Sequence, residues 1–544
     1  MELILFIIYV MVSNVREAIQ IGSIANNKYF KYLLFFIVFL ILLFTRIYKI
    51  ESVPYGLHVD EAGMAYDAWS IAYFGVDRYL NPFPVYFINY GGGQSVLYGY
   101  LSALLIKFFG LTIYTIRLPG IILSVLTGIV GFKIIEKLFN SFYFGLLFLL
   151  IFSITPYFIM QSRFGLDCNL MMGMSSIVLY FLDQMILSDN YIYSIIAGVV
   201  TGLILYSYAL SYIVLPIFLL FLLFYVWRTR KLSLRKISVF IITLIIVALP
   251  LIALVVINYF KLGTFRLLWF TIPQLPGFRG SEIVLDLISD NFLRIINSVL
   301  FYDWLPYNTF SHHLTLYRIS IPFVVLGIVI GFINIIRDIL KREYSILNII
   351  WLFGLATFLM GLTIGGDQPN TNKLNGIFFS VAVLLIYGIN YSFKAIKRWN
   401  LFISKIFLAT LMLTYTYHFI SFARYYYFRY QYEINPQYLF AHTFEDAYEF
   451  LDSHTNVDTD IYIEPNYHGY VYFLLSAQIS PYDINLNFNG TKMYQNYHFE
   501  LPHDIIADGI YLVSKTNSSF ISRIEEMSFI RMEFERYYLY IYAD

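Results

Sequence analysis

The chain has 544 residues, of which 59% are hydrophobic and only 13% charged. That is about half the charged share of an ordinary soluble domain, and it excludes a soluble globular protein. The net charge of +1 gives no sign of a nucleic-acid partner, and the single cysteine, Cys168, excludes an intramolecular disulfide.

Residues 1–28 read as an N-terminal cytoplasmic or interfacial segment. Its apolar part, Leu3 to Val12, is too short to span, and it lacks the basic start and small-residue cleavage site of a signal peptide. Apolar runs of about 20 residues then recur, the length that crosses a bilayer as a helix. Spans are expected at 29–48, 117–137, 142–160, 169–187, 191–208, 212–227, 237–258, 318–337, 346–364, 373–391 and 401–420. The expected fold is therefore a polytopic α-helical membrane protein with about eleven transmembrane helices.

Charge sets the topology. The turns KIIEKLFN, WRTRKLSLRK, RDILKREYS and KAIKRWNLFISK hold nearly all the lysine and arginine of the short loops, while the short turns on the other side carry only Arg163 and Lys373. The positive-inside rule puts the basic turns in the cytoplasm. It predicts a multi-pass protein of the cell membrane with a cytoplasmic N-terminus and an extracytoplasmic C-terminal domain. Segment 94–109, QSVLYGYLSALLIKFF, would reverse every later loop if it spanned. It is expected to lie in the outer interface or to dip partway into the membrane.

Three parts then face outward: a first loop at 49–116, a second at 259–317, and the tail at 421–544. The tail mixes charges and turn residues with a helix-like TFEDAYEFLDSH and strand-like TDIYIE, DGIYLVSK and YYLYIYAD. It reads as a small α/β domain beside a membrane domain of residues 29–420.

The first loop opens with HVDEAGMAYDAWSIAYFGVDRY, His58 to Tyr79. Ala65, Ala68, Trp69 and Ala72 fall at helical spacing, with Asp60 at the N-terminal end. One reading makes Asp60 a helix cap favoured by the dipole. Yet a cap needs one acid, and this stretch offers Asp60, Glu61, Asp67 and Asp77 beside a membrane surface.

The order of motifs carries a resemblance. An Asp-Glu pair follows the first span. GVDRYLNPFPVYF comes next, then the aromatic LYGYLSALLIKFFG, and TIRLPGIILSVLTG opens the second span. Over roughly residues 30–190 the chain resembles the polyprenyl-phosphate-sugar-dependent glycosyltransferases of the GT-C fold. These include protein O-mannosyltransferases, lipid A aminoarabinose transferases and rhizobial-type galacturonosyltransferases.

The resemblance implies an inverting transfer of a sugar from a polyprenyl-phosphate donor to an extracytoplasmic acceptor: a cell-envelope glycan, a glycolipid or a protein. It implies that a carboxylate of the first external loop serves as general base. Asp60 matches that position, and Glu61 orients it or touches the acceptor. Two adjacent acids resist joint ionisation, which raises one pKa, while the helix dipole pushes the other way on Asp60. A second acid and an arginine at the turn after the third span are implied to be Asp167 and Arg163 of SRFGLDCNL. Read from the residues alone, Asp167 could equally cap the next helix and Arg163 anchor at the interface.

The departing phosphate needs cations or N–H groups. Arg78, Arg117, Arg163 and Lys373 are the basic candidates, with Arg266 and Arg279 of the second loop behind them. Each has a plainer reading as a lipid-headgroup contact. Many relatives carry a basic residue and two prolines before the aromatic helix. Here the stretch is NYGGGQSVLYGY; Gly92, Gly93 and Gln94 could present backbone N–H groups instead, or form only a flexible turn.

No cofactor is implied. A divalent cation has no ligand cluster to support it, since adjacent His312 and His313 point apart on most backbones. Cys168 reads as inert packing. The alternative function is a flippase for lipid-linked sugars, which would keep its ionisable groups inside the spans. Here they lie mostly in external loops, with Asp183 the main exception.

Overall fold

The computed structural model describes residues 27–90, 92–267, 269–277, 284, 286–310, 313–365, 368–454, 459–464, 469–484, 486 and 491–542. The expectations for residues 1–26, Gly91, Arg279 and His312 fall outside it.

The membrane part is built of α1 (Lys28–Ile47), α2 (Val59–Phe74), α3 (Leu97–Phe109), α4 (Ile113–Phe139), α5 (Phe142–Ile154), α6 (Met171–Leu187), α7 (Ile192–Leu203), α8 (Ser211–Thr229), α9 (Leu234–Phe260), α10 (Ile288–Ile296), α11 (Ile321–Lys341), α12 (Ile346–Leu362), α13 (Ile377–Trp399) and α14 (Leu401–Phe428). Among the described residues, eight helices are long and apolar enough to cross a membrane. The other three expected spans correspond to the shorter apolar helices α5, α7 and α12. α3 has 13 residues, about 20 Å at 1.5 Å per residue, too short to cross. Most of its Tyr98–Ser102–Ile106 face is buried against neighbours, while Leu104, Phe108 and Phe109 are exposed.

Two devices show how a greasy chain builds a precise bundle. α11 and α13 meet backbone to backbone. A Cβ on Gly327 would lie 2.0 Å from the Leu384 carbonyl oxygen, and one on Gly388 would lie 2.0 Å from that of Phe323. Small residues permit this approach, which supplies dispersion where lipid gives no hydrophobic drive between helices. The second device is at α5, which breaks at Thr155–Pro156. Proline has no N–H for the carbonyl four residues back. Arg46 of α1 supplies the missing donor: its Nη2 reaches Phe152 O at 2.9 Å and its Nη1 reaches Ser153 O at 2.8 Å.

Outside the bundle, β1 (Phe265–Leu267) and β2 (Phe270–Ile272) form an antiparallel ribbon. The C-terminal domain is a mixed six-stranded sheet of order β4-β5-β3-β6-β8-β7. Its strands are β3 (Ile461–Ile463), β4 (Met493–Tyr494), β5 (Tyr497–His498), β6 (Ile510–Ser514), β7 (Phe529–Glu533) and β8 (Tyr537–Tyr542), with helices α15 (Phe444–His454), α16 (Tyr470–Ser476) and α17 (Ser518–Ile524). Central β3 and β6 pair in parallel, and every residue of both is buried. The last membrane helix continues to Phe428, eight residues beyond the hydropathy boundary. Its final turns bury Tyr426 and Tyr427 with their rings against the Arg163 guanidinium. The domain returns to the membrane part through α16, where Tyr472 donates to Leu57 O at 3.1 Å. On α2, Tyr66 donates to Ile479 O at 2.7 Å.

Candidate active site

The helix that carries the acidic pair is capped differently from the sequence reading. His58 is the N-cap: its Nδ1 accepts from the Asp60 N–H at 3.2 Å, while Glu61 Oε2 accepts from the His58 N–H at 3.3 Å. This reciprocal box satisfies the first turn. Asp60 is therefore not needed as a cap, and its carboxylate is free to do something else.

The two adjacent acids separate completely. Glu61 has no exposed side-chain surface. Its Oε1 accepts from Arg117 Nε at 2.9 Å and from the Gly165 N–H at 2.6 Å, and its Oε2 accepts from Arg117 Nη2 at 3.1 Å. Asp60 keeps 42% of its side chain exposed. Its Oδ1 accepts from Asn89 Nδ2 at 3.3 Å, and its other oxygen lies 3.8 Å from His58 Nδ1. A half-open carboxylate beside a locked one suits a proton acceptor, because only the open one can meet an incoming hydroxyl.

Asp167 is brought to the same place by the segment before α3. Gln94 Nε2 donates to Asp60 O at 3.4 Å, and the next residue, Ser95, gives its N–H to Asp167 Oδ2 at 3.0 Å. Two consecutive residues thus hold the main chain at Asp60 and the carboxylate of Asp167. The other Asp167 oxygen accepts from the Cys168 N–H at 2.8 Å, and the 3₁₀ turn that Asp167 begins has no side-chain cap. The helix-cap reading of Asp167 fails for that reason.

Several cationic expectations end differently. Arg117 is fully buried, and all five of its N–H groups have protein acceptors: the two Glu61 oxygens and the carbonyls of Ile50, Pro54 and Gly56. Arg163 is also fully buried, donating to the carbonyls of Thr45, Arg46, Tyr48, Lys49 and Val53. It gathers the end of α1 and the start of the first loop and has no exposed surface with which to anchor at a lipid interface. Arg78 is 1% exposed and forms a bidentate pair with Asp67, with Nη2 to Oδ2 at 2.8 Å. Arg117 and Arg163 spend their donors on holding the first loop together, whereas Arg78 pairs with Asp67 through Nε and Nη2 and leaves its buried Nη1 without a hydrogen-bond partner among the described residues.

The glycine stretch differs as well. The Gly92 N–H goes to Asn89 O and the Gln94 N–H to Phe87 O, both at 3.0 Å. Those amides close a hairpin and do not face a ligand. A Cβ on Gly93 would lie 2.2 Å from the Tyr86 ring, so Gly93 is required by packing. Lys373 is the remaining basic candidate of the short external turns; it is half-buried. Arg266 is exposed on β1.

The turn that carries Lys373 is fixed from below. Asp303 Oδ2 accepts from the N–H and hydroxyl of Thr371, and Asn308 Nδ2 donates to Asn372 Oδ1 at 2.6 Å. Asn372 Nδ2 donates to the Tyr307 hydroxyl at 3.1 Å. The Tyr307 ring meets His58 at 5.4 Å and Phe164 at 5.4 Å between centroids. The first loop, the turn before α6, the second loop, the Lys373 turn and Phe440 of the tail converge on this aromatic cluster. The sequence reading missed Asn89 and Tyr307. Neither lies in a periodic pattern, and only the folded loops make them neighbours of Asp60.

Asp77, in the loop after α2, is fully buried. Burial, reinforced by the neighbouring Asp67, pushes its carboxyl up to about 7. It accepts from the Tyr79 and Asn81 N–H groups and organises the DRYLN turn. Of the adjacent histidines, His313 packs its ring on Phe310, and no group of three or more metal-ligating side chains forms among the described residues.

This arrangement of a helical membrane bundle, a first loop that carries an acidic helix and a short apolar helix, and a C-terminal α/β domain is the GT-C fold. Comparison with known proteins leads to the same class. Residues 94–254 match the family model described as dolichyl-phosphate-mannose-protein mannosyltransferase. ArnT from Cupriavidus metallidurans is similar in its apo state at TM-score 0.55 and 11% identity, covering 94% of this chain and 97% of that one. The same protein bound to undecaprenyl phosphate matches at TM-score 0.52 and 10% identity, with the same coverage. The Archaeoglobus fulgidus oligosaccharyltransferase in its apo form matches at TM-score 0.50 and 14% identity, over 83% of this chain and 64% of that one. No curated protein matches the chain by sequence. The resemblance read from the motif order is upheld, since family model and solved folds both lead to GT-C glycosyltransferases.

Proposed function

We propose that this protein is an inverting membrane glycosyltransferase that moves a sugar from a polyprenyl phosphate to an extracytoplasmic acceptor. Asp60 removes the proton of the acceptor hydroxyl or amine. The freed electron pair forms the new bond to the anomeric carbon from the face opposite the phosphate. The bond from that carbon to the phosphate oxygen breaks, and polyprenyl phosphate leaves with its electrons. Asp167 orients the acceptor or sugar beside Asp60. Lys373, on its braced turn, meets the phosphate charge that develops as the bond breaks. Glu61, Arg78, Arg117 and Arg163 serve by shaping the loop. The N-terminus is cytoplasmic, and the α/β domain, residues 429–544, covers the site from outside.

The observation that carries this reading is the split of the acidic pair: Glu61 is locked by Arg117, whereas Asp60 stands half-open between two external loops. The family match over residues 94–254 and the undecaprenyl phosphate held by the similar ArnT structure support a lipid-phosphate donor.

The test uses purified protein in detergent with radiolabelled polyprenyl-phosphate sugars and cell-envelope acceptors, following release of polyprenyl phosphate. Wild-type turnover should fall by roughly a hundredfold or more in Asp60→Asn, the scale of a lost general base. Turnover that survives in Asp60→Asn would transfer the base role to Asp167. Movement of the donor between leaflets with no bond cleavage would replace the transferase with a flippase.

A further inference from the structure

A second polar pocket lies at the far end of the bundle. The first turn of α4 carries Arg117 beneath the acidic loop, and its last turn carries Leu138 and Phe139. The helix has 27 residues, a rise of about 40 Å. At that end a partly open pocket of about 320 Å³ is lined by α11, the turn into α12, α13 and the end of α4.

Its polar groups are unevenly satisfied. Asn334 Nδ2 is taken by the Tyr387 hydroxyl at 2.5 Å. Asp338 is spent: one oxygen accepts from Arg337 Nε at 3.1 Å and the other from Asn348 Nδ2 at 2.9 Å. Asn390 is 3% exposed, and its Oδ1 has no hydrogen-bond donor among the described residues. A buried carbonyl oxygen without a donor is a rare and costly feature, and it asks for a partner. Lys394, one turn further along the same face of α13, has no carboxylate within ion-pair reach among the described residues; its Nζ lies 5.7 Å from the Phe139 ring centroid. Arg337, also in the lining, has 54% of its side chain exposed. Glu343, also in the lining, is exposed to solvent.

The flank of this mouth is apolar. Ile333, Ile336 and Leu340 of α11 are 57%, 46% and 71% exposed, at the spacing of a single helical stripe. A pocket with two cations at its mouth, a buried acceptor inside and a greasy wall leading away fits an amphiphile better than a soluble ion.

We propose that this pocket binds a phospholipid headgroup of the leaflet opposite the Asp60 site, one that carries a hydrogen-bond donor beside its phosphate. The phosphate oxygens lie between Arg337 and Lys394. The adjacent hydroxyl or ammonium N–H of the headgroup donates to Asn390 Oδ1. The acyl chains run along Ile333, Ile336 and Leu340. Phosphatidylglycerol and phosphatidylethanolamine meet the donor requirement, and phosphatidylcholine does not. Glycerol 3-phosphate offers the same polar chemistry without chains.

The test is native mass spectrometry of the full chain in detergent, titrated with each of the three lipids and with glycerol 3-phosphate as competitor. Phosphatidylglycerol and phosphatidylethanolamine should bind about tenfold more tightly than phosphatidylcholine. Asn390→Leu should reduce that preference to less than twofold, and Lys394→Gln, at an exposed position that folding does not need, should weaken all three lipids. Equal binding of phosphatidylcholine to the wild type would overturn the proposal. So would a donor preference that survives Asn390→Leu, or displacement of the lipids by glycerol 3-phosphate at equal concentration, which would make the pocket a site for a soluble phosphate.

Discussion

The floor and the rim of the first long loop, residues 49–116, are built from the same residue types and use them in opposite ways. In the floor, Glu61–Arg117 and Asp67–Arg78 are buried ion pairs with at most 1% side-chain exposure, and Arg163 donates to backbone carbonyls. In the rim, Asp60, Asp167 and Lys373 stand partly open on three different segments. The difference shows that a count of charged residues in a motif is not a count of ligand contacts. The irregular stretch between α1 and α2 leaves many carbonyls unpaired, and a buried carbonyl must find a donor. Arginine, with five donors in a rigid fork, serves several at once.

Breaking the floor should have the largest effect. Arg117→Met leaves Glu61 buried without its partner and orphans three carbonyls, at a cost of roughly 3–5 kcal/mol. The expected result is low yield of folded protein and a sharply lowered Tm in detergent. A variant that kept both its Tm and its activity would show that the pair is dispensable and would erase the distinction from the rim.

Breaking the rim should spare the fold. Asp60→Asn is expected to lose at least about a hundredfold in turnover with a Tm within about a degree of wild type, because only one weak 3.3 Å contact and an exposed carboxylate change. Glu61→Gln should behave oppositely and lose Tm. Lys373→Gln should come next, with a loss of roughly tenfold in kcat/KM for the lipid-phosphate donor and an unchanged Tm. Asn89→Ala should have a smaller effect on rate. Asn89 acts through Asp60, so the sign of its role is a loss of kcat with an unchanged KM for the donor and an unchanged Tm.

The smallest expected effect sharpens the comparison at Asp77, a floor acid with no cationic partner. Its folded value of about 7 lies above the ordinary 3.8, so the folded state keeps a proton that the unfolded chain gives up. The stability contributed by this group is full below about pH 4 and is lost as pH rises to about 7. The wild-type Tm should therefore decline between pH 5 and pH 8 more than that of Asp77→Asn. Equal slopes would mean that Asp77 is ionised in the fold.

Much of this molecule is legible in its residues. Apolar runs marked the eleven bundle helices, because a bilayer rewards only long, self-satisfied apolar segments. The strand-like TDIYIE, DGIYLVSK and YYLYIYAD became β3, β6 and β8, since β-branched and aromatic residues fit a pleated sheet. The short β4 and β5 and the helix α16, YVYFLLS, carry too few residues to declare a period. The acidic motif after the first span pointed to the right place in the chain and was silent about which acid stands open.

The sequence by itself determined the membrane architecture, the C-terminal α/β domain and the presence of acids at the mouth of the first loop, because hydropathy and local periodicity act over neighbouring residues. Only the tertiary structure decided that His58 caps α2, that Arg117 takes Glu61 and leaves Asp60 open, and that Asn89, Asp167 and Tyr307 meet around it. Those choices depend on which buried carbonyls and carboxylates need donors once distant loops close on one another, and no local pattern encodes that demand.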